Sequence, residues 1–194
     1  MDKVDYTKIV DFFFEIGALK NQNRTGYLHE KVEHKESIAS HVLRAVQIGE
    51  VLCYLEGGDE LAVKNIILYH DNGETRITDL HKLAQKYFSK DQLHKAELEA
   101  LKDQVKNLPR ELGEKMLKSF ISYEKGDSID AKIARDADTL ELLVTIREYE
   151  LIGHENFGFW FDDAKKHLKT DSGRKLFKEI RKGKFNNWWI NKFK

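Results

Sequence analysis

Residues 61–71 read LAVKNIILYHD, a nearly all-apolar run broken only by Lys64 and Asn65 and ending in an imidazole beside a carboxylate. The apolar spacing predicts a short buried helix. His70 and Asp71 then emerge together where that helix opens into a loop, a corner suited to a metal ion. The sequence around this stretch is helical too. Over 6–20, Ile9, Phe13 and Ile16, with Phe12 and Leu19 beside them, recur at the three- and four-residue spacing of one buried helix face. Ser37 can cap a second helix with an inner stripe of Val42, Val46, Gly49 and Cys53, which Gly57-Gly58 stops. Further helices are expected over 91–108, 111–124, 128–154, 160–168 and 172–181, each bounded by Gly, Pro, Asp or Ser. A single proline, Pro109, and 12 glycines disfavour a β-sandwich, which needs frequent turns. The fold class expected is all-α.

The chain has 194 residues and 22.7 kDa, the size of one domain, expected to span 1–194. Lys+Arg and Asp+Glu both number 33, so the molecule as a whole has no charge suited to a polyanion or a membrane surface. No apolar run reaches the roughly 20 residues of a membrane helix. The acidic start, Met1-Asp2-Lys3-Val4-Asp5, does not resemble an export signal. The lone Cys53 excludes an internal disulfide or a multi-cysteine zinc site and agrees with a reducing, cytoplasmic location. Charge is nevertheless uneven. Residues 164–194 hold 11 Lys/Arg against 2 Asp/Glu, giving that segment a charge of +9 and the remainder −9. This basic segment carries Phe185, Trp188, Trp189 and Phe193, expected to tuck against the body or a partner subunit. Nucleic acid is disfavoured as a partner, because the acidic remainder would repel it.

His41 follows the cap Ser37 by one helical turn, and Asp138 lies in the 128–154 helix near Ala134, Ala137 and Leu142, where a charge needs a partner. His41, His70, Asp71 and Asp138 make a mixed nitrogen and oxygen set suited to Mn, Fe, Co or Ni, with Mg and Zn possible. Spacing alone leaves open a second reading, in which each is a capped or ion-paired helix end. Asp136 points about 200° away from Asp138 on an ideal helix and should not share an ion with it. His29, His34, His81, His94, His154 and His167 read as structural or solvated, and Cys53 as core. Glu36 suits the N-terminal end of its helix, Asp162-Asp163 suit the start of theirs, and Glu97 and Glu99 can pair with lysines of their own helix.

Between Phe13 and about Glu150 an ordered set of pieces stands out. These are Leu19-Lys20, Arg24-Thr25-Gly26-Tyr27, Glu36-Ser37-Ile38-Ala39-Ser40-His41, His70-Asp71-Asn72-Gly73-Glu74 and Thr78-Asp79-Leu80. They continue with Lys95-Ala96-Glu97-Leu98-Glu99-Ala100, Leu108-Pro109, Tyr123-Glu124, Ala131-Lys132, Asp138 and Glu148-Tyr149-Glu150. In these pieces the chain resembles the HD-domain phosphohydrolases, and more closely their small 5'-deoxynucleotidase branch, the YfbR-like and HD-domain-containing-protein-2-like enzymes. The resemblance implies a compact all-α bundle, a homodimer, and one divalent ion (Mn2+, Co2+ or Mg2+) held by His41, His70, Asp71 and Asp138. It makes Glu74 the acid that helps activate water and Asp79 a second catalytic acid near the sugar. Arg24 becomes the phosphate-binding arginine, and Tyr27 a neighbour of the sugar.

The activity implied is removal of the 5'-phosphate from (deoxy)ribonucleoside monophosphates by a water that the metal activates, with ion and arginine offsetting phosphoryl charge. Alternatives are an HD-type phosphodiesterase, a nucleoside triphosphate hydrolase, or a non-catalytic nucleotide-binding dimer module. Glu74 lies four residues after His70, so one more helical turn would bring it to the metal's side, though Gly73 weakens that continuation. Two departures stand out: Asn72-Gly73 replaces a usually more apolar pair, and Tyr27 stands where relatives often have tryptophan.

Overall fold

A computed structural model describes residues 4–33, 35–155, 157–184 and 186–193; the N-terminal Met1, Asp2 and Lys3, with His34, Phe185 and two further residues named above only by range, lie outside it. Among the described residues the helices are α1 (Tyr6–Gly17), α2 (Ile38–Glu56), α3 (Glu60–Tyr69), α4 (Glu74–Ile77), α5 (Lys82–Gln85), α6 (Lys90–Val105), α7 (Arg110–Lys125), α8 (Ile129–Leu151), α9 (Gly158–His167), α10 (Asp171–Lys182) and α11 (Asn187–Ile190). Two 3-10 turns, Ala18–Lys20 and Thr25–Glu30, lie on the path from α1 to α2. No strand occurs among these residues beyond an isolated bridge between Asn23 and Ser37.

Local chemistry sets the boundaries of the long helices. The Ser37 hydroxyl accepts from the Ser40 amide at 3.2 Å and Ser128 does the same for Ala131 at 3.1 Å, each satisfying an orphan donor of the first turn. Ser89 and Gln92 form a reciprocal capping box on α6. Gly57 ends α2 at φ +80°, a left-handed conformation that a side chain would strain.

Helices α2, α3 and α8 pack on one another and, with α9 and α10, enclose the main core. Val63 and Ile67 of α3 meet Leu52 of α2 and Ile133, Ala137 and Leu140 of α8 there. Gly49 permits the α2–α3 approach, because a Cβ at that position would run into Ile67. A second cluster, Leu101, Val105, Met116 and Phe120, joins α6 to α7. By length and composition α2 could cross a membrane, but its His41, Val42, Ala45, Gly49 and Leu52 are buried in this core.

Several expectations need correcting. No residue of α1 is buried, and Phe13 and Phe14 are 59% and 78% exposed, because only Ile9 and Phe12 reach the α6–α7 cluster. Leu61 and Leu68 of α3 are also exposed, so only one face of that helix enters the core. Helix α9 starts at Gly158, which puts Asp162 and Asp163 in mid-helix, where Asp163 pairs with Lys82 instead of opening the helix. Trp188, Trp189 and Phe193 are exposed, so these three rings do not tuck against the body.

Leu140→Ala, at a site 1% exposed, is expected to destabilise the protein by about 2–5 kcal/mol in urea denaturation. Phe14→Ala should stay within about 0.5 kcal/mol of the parent in the same experiment.

Candidate metal centre

His41 projects from the second turn of α2, its amide bonded to the Ser37 carbonyl at 3.0 Å, so the cap that starts the helix also sets the height of the imidazole. His70 caps the C-terminal end of α3. Its Nδ1 lies 2.7 Å from the Ile67 carbonyl, which can only accept, so Nδ1 carries the proton and Nε2 is left with a lone pair. Asp138 comes from α8 and takes a hydrogen bond from the Tyr123 hydroxyl on Oδ2 at 2.5 Å, leaving Oδ1 for the histidines.

These groups converge. His41 Nε2 is 3.0 Å from Asp138 Oδ1 and 3.9 Å from Asp71 Oδ2; His70 Nε2 is 3.1 Å from Asp71 Oδ1 and 3.9 Å from Asp138 Oδ1. Ligand atoms of His41, His70 and Asp138 all lie within 4.8 Å of one another. The short His41–Asp138 approach lacks the direction of a hydrogen bond, and His41 Nε2, Asp71 Oδ2 and Glu74 Oε2 are buried with no hydrogen-bond partner. Buried polar atoms left unpaired are costly, and three of them around one corner fit a cation between them.

Electrostatics agree. Burial and the charge of Arg24 both oppose a proton on His41, yet the contacts with Asp138 and Glu141 outweigh them and hold its pKa up at about 9. Burial likewise works against Asp138, but the close contact with His41 and the charges of His41, His70 and Arg24 keep it well below the usual carboxylate range. Glu74 moves the other way: burial, then the charges of Asp71 and Asp79, push it far above its ordinary value. A corner that draws a proton onto a buried imidazole and suppresses ionisation of a neighbouring carboxyl is short of positive charge. The residues present fit a divalent ion with oxygen and nitrogen ligands.

The remaining expected residues surround this corner. Arg24 Nη1 lies 3.7 Å from Asp71 Oδ2; burial opposes its charge, but the carboxylates of Asp138, Asp71 and Asp79 keep it protonated. Asp79 Oδ2 accepts from the Thr25 amide at 2.6 Å, and the Thr25 hydroxyl bonds back to the Asp79 carbonyl at 2.9 Å, so the arginine loop and the loop after α4 are tied together. A cavity of about 280 Å³ opens here, lined by Arg24, Tyr27, Asp79, Tyr123, Asp138 and Trp160 among others. Tyr27 is fully buried, with its hydroxyl 3.1 Å from Glu36 Oε1 and its ring against Tyr149 and Trp160. Glu74 begins α4, which starts after a turn at residues 71–74 instead of prolonging α3. Gly73 permits this turn for a steric reason, since a Cβ there would sit 3.0 Å from the Glu97 carbonyl of α6.

A family model described as the HD domain matches residues 16–181. The chain belongs to the HD-domain family. It is 30% identical over 154 residues to the 5'-deoxynucleotidase hdd1 of Schizosaccharomyces pombe, covering 77% of this chain and 76% of that protein. With the 5'-deoxynucleotidase HDDC2 of Homo sapiens it shares 26% identity over 147 residues, 76% of this chain and 71% of the human protein. A conserved hypothetical protein from Pyrococcus furiosus superposes with a TM-score of 0.72 at 29% identity, covering 90% of this chain and 99% of that one.

Around the His-Asp corner of this HD domain lies a buried layer that spacing does not reveal. Glu141, fully buried, meets His41 Nδ1 from behind, and Arg44 bridges Glu141 to Glu148. Glu36 belongs to the same layer: it accepts from Tyr27 and lies 3.2 Å from the Thr145 hydroxyl rather than serving the helix N-terminus, and burial, with the nearby Glu141 charge, raises its pKa to about 7. The available signal for Glu141 is its place three residues after Asp138, on the same face of α8, between apolar neighbours. Among the residues read as structural, His81 caps α5, His94 pairs with Glu124, and Glu99 pairs with Lys102 of its own helix. Glu97 has no such lysine; burial, then the charge of Glu124, raises it to about 7.

Asp136 accepts from the amides of Lys169 and Thr170 and from the Thr170 hydroxyl, at 2.7–2.8 Å, and so anchors the start of α10. Asp136→Asn puts an amide donor among three donors and should cost about 1–3 kcal/mol while metal binding persists. Asp138→Asn should do the reverse, keeping most stability and losing the ion, as denaturation and metal analysis on the same samples would show.

Proposed function

We propose that this HD-domain protein is a metal-dependent 5'-nucleotidase that removes phosphate from deoxyribonucleoside monophosphates. The observation that carries the reading is the convergence of His41, His70, Asp71 and Asp138, with their unpartnered buried atoms, beside a protonated Arg24 and an open cavity. The names of the relatives in fission yeast and human support the substrate class.

In this reading the four residues hold one divalent ion, Mn2+, Co2+ or Mg2+. Such an ion lowers the pKa of a coordinated water and neutralises phosphoryl charge. The chain's own residues do the rest. Arg24, kept charged by the carboxylates around it, grips the phosphoryl oxygens and holds them more tightly as charge grows in the transition state. Burial and the charges of Asp71 and Asp79 push the Glu74 carboxyl well above its ordinary value, which suits it to exchange a proton at the corner. As water adds to phosphorus and the P–O5' bond breaks, the water loses a proton and the leaving alkoxide gains one, and Glu74 can carry it between them. Asp79, aimed by the Thr25 amide, sits on the cavity wall where the sugar would lie. Tyr27, fully buried, stands behind the cavity wall with its ring on Trp160 and its hydroxyl on Glu36, so it acts on the sugar site by supporting that wall. A smaller ring than tryptophan makes a lower wall against a 2'-hydroxyl, so selectivity against ribonucleotides is reduced.

A homodimer in the cytoplasm belongs to the same reading, supported by the apolar groove between α1, α2 and α3 and the exposed Phe13 and Leu43 on its rim.

With Mn2+, Co2+ or Mg2+ added, inorganic phosphate should be released from several deoxyribonucleoside monophosphates with little dependence on the base, and chelation should stop it. Glu74→Gln should keep the ion and the fold but slow turnover by about 10²–10⁴-fold. Arg24→Ala should damage both KM and kcat. Preferential cleavage of triphosphates or cyclic dinucleotides over every monophosphate would overturn the assignment.

A further inference from the structure

We propose that Glu141 is a positioning residue that selects which ring nitrogen of His41 carries its proton, and thereby whether that ring can bind a divalent ion; this rests on the reading of His41 as a ligand. The side chains of both residues are fully buried, and Glu141 Oε2 closes directly on His41 Nδ1. The other oxygen, Oε1, takes Arg44 Nε at 2.9 Å and the Thr145 hydroxyl at 3.0 Å. Arg44 is itself held on Glu148 through Nη1 at 2.8 and 2.9 Å. The carboxylate therefore cannot turn, and both of its oxygens are committed. A carboxylate only accepts, so in the neutral ring Nδ1 keeps the hydrogen and the Nε2 lone pair faces Asp138 and Asp71.

The two histidines differ in this respect. His70 is set by the Ile67 carbonyl, a backbone group that no substitution of a distant residue removes. His41 depends on one side chain brought from α8, a hundred residues along the chain.

The arrangement predicts an inverted order of damage. In Glu141→Gln the shape is kept, but Arg44 donates to the position of Oε1, which must then be the amide oxygen. The amide NH2 is forced toward His41 and donates to Nδ1, which drives the hydrogen to Nε2, the nitrogen that has to face the ion. In Glu141→Ala no group dictates the tautomer, and the ion can select the competent one. Arg44, 34% exposed and still paired with Glu148, has solvent available when Glu141 is shortened. If Glu141 served only to fill and neutralise the interior, alanine would be the more harmful change.

The test is the Mn2+ dissociation constant of the full chain by isothermal titration calorimetry, for the parent, Glu141→Gln, Glu141→Ala and His41→Ala, below the melting temperature of each. Glu141→Gln should weaken Mn2+ about 10–100-fold, the usual effect of removing an outer-shell partner, and Glu141→Ala should weaken it less. Histidine ring ¹⁵N shifts of the metal-free proteins at alkaline pH, where the ring is neutral, should show Nδ1–H in the parent and Nε2–H in Glu141→Gln. This second readout stands even if the alanine variant does not fold. Parent-like affinity with Nδ1–H in Glu141→Gln, or a greater loss in alanine than in glutamine, would overturn the role of Glu141. Unchanged affinity in His41→Ala would overturn the ligand reading beneath it.

Discussion

Negative charge crowded into a buried corner is the constraint on which this molecule is built. Asp71, Glu74 and Asp79 come from one short stretch and Asp138 from a distant helix, and the protein supplies Arg24 and two imidazoles against them. That supply is incomplete, as the raised Glu74 and the proton-seeking His41 both record. Isolated carboxylates under such burial would neutralise or unfold the site unless a cation were shared among them. The corner is thus held by charge balance as much as by packing, and the balance closes with a divalent ion.

The fold makes such an arrangement tolerable by building it on rigid elements. Each segment that brings a side chain to the corner is fixed by something other than the corner: Ser37 sets the start of α2, the Ile67 carbonyl orients His70, and the apolar faces of α2, α3 and α8 interlock around Gly49. Only then do the loops arrive. Arg24 and Asp79 approach from opposite sides and are tied through Thr25, so the residues facing the cavity are positioned as a pair. Behind the His-Asp corner, Glu141, Arg44, Thr145 and Glu36 form a second polar layer whose groups bond to one another. A polar network of this depth is tolerable only when its members are satisfied, and His41 Nε2, Asp71 Oδ2 and Glu74 Oε2, which are not, lie at the corner.

Much of this is legible in the sequence, because the features that carry it are local. Helix caps and glycine stops mark α2 and α8 to within a few residues, and the His70-Asp71 pair at the end of an apolar run marks the corner. What is not legible depends on which helix face meets which. The periodicity of α1 reads as a buried face, yet Phe13 lies open because nothing among the described residues covers it. Asn72-Gly73 reads as a weak helix continuation, whereas Gly73 answers to the backbone of α6, residues away in sequence and adjacent in space. Glu141 reads as one charge among many on a long helix; its importance comes from facing His41 across the α2–α8 contact, which no spacing rule contains. The family likeness reaches further than the physics of spacing here, since it orders His41, His70, Asp71 and Asp138 as a set before any contact between them is known.

The claim that one divalent ion sits among these four residues is tested most directly by anomalous diffraction from crystals grown with Mn2+. The account predicts a single strong anomalous peak at the corner, bonded to Nε2 of both His41 and His70 and to carboxylate oxygens of Asp71 and Asp138, at about 2.0–2.3 Å as for nitrogen and oxygen ligands of such ions. A peak lodged elsewhere, or one at the corner bound without the two imidazoles, would contradict it.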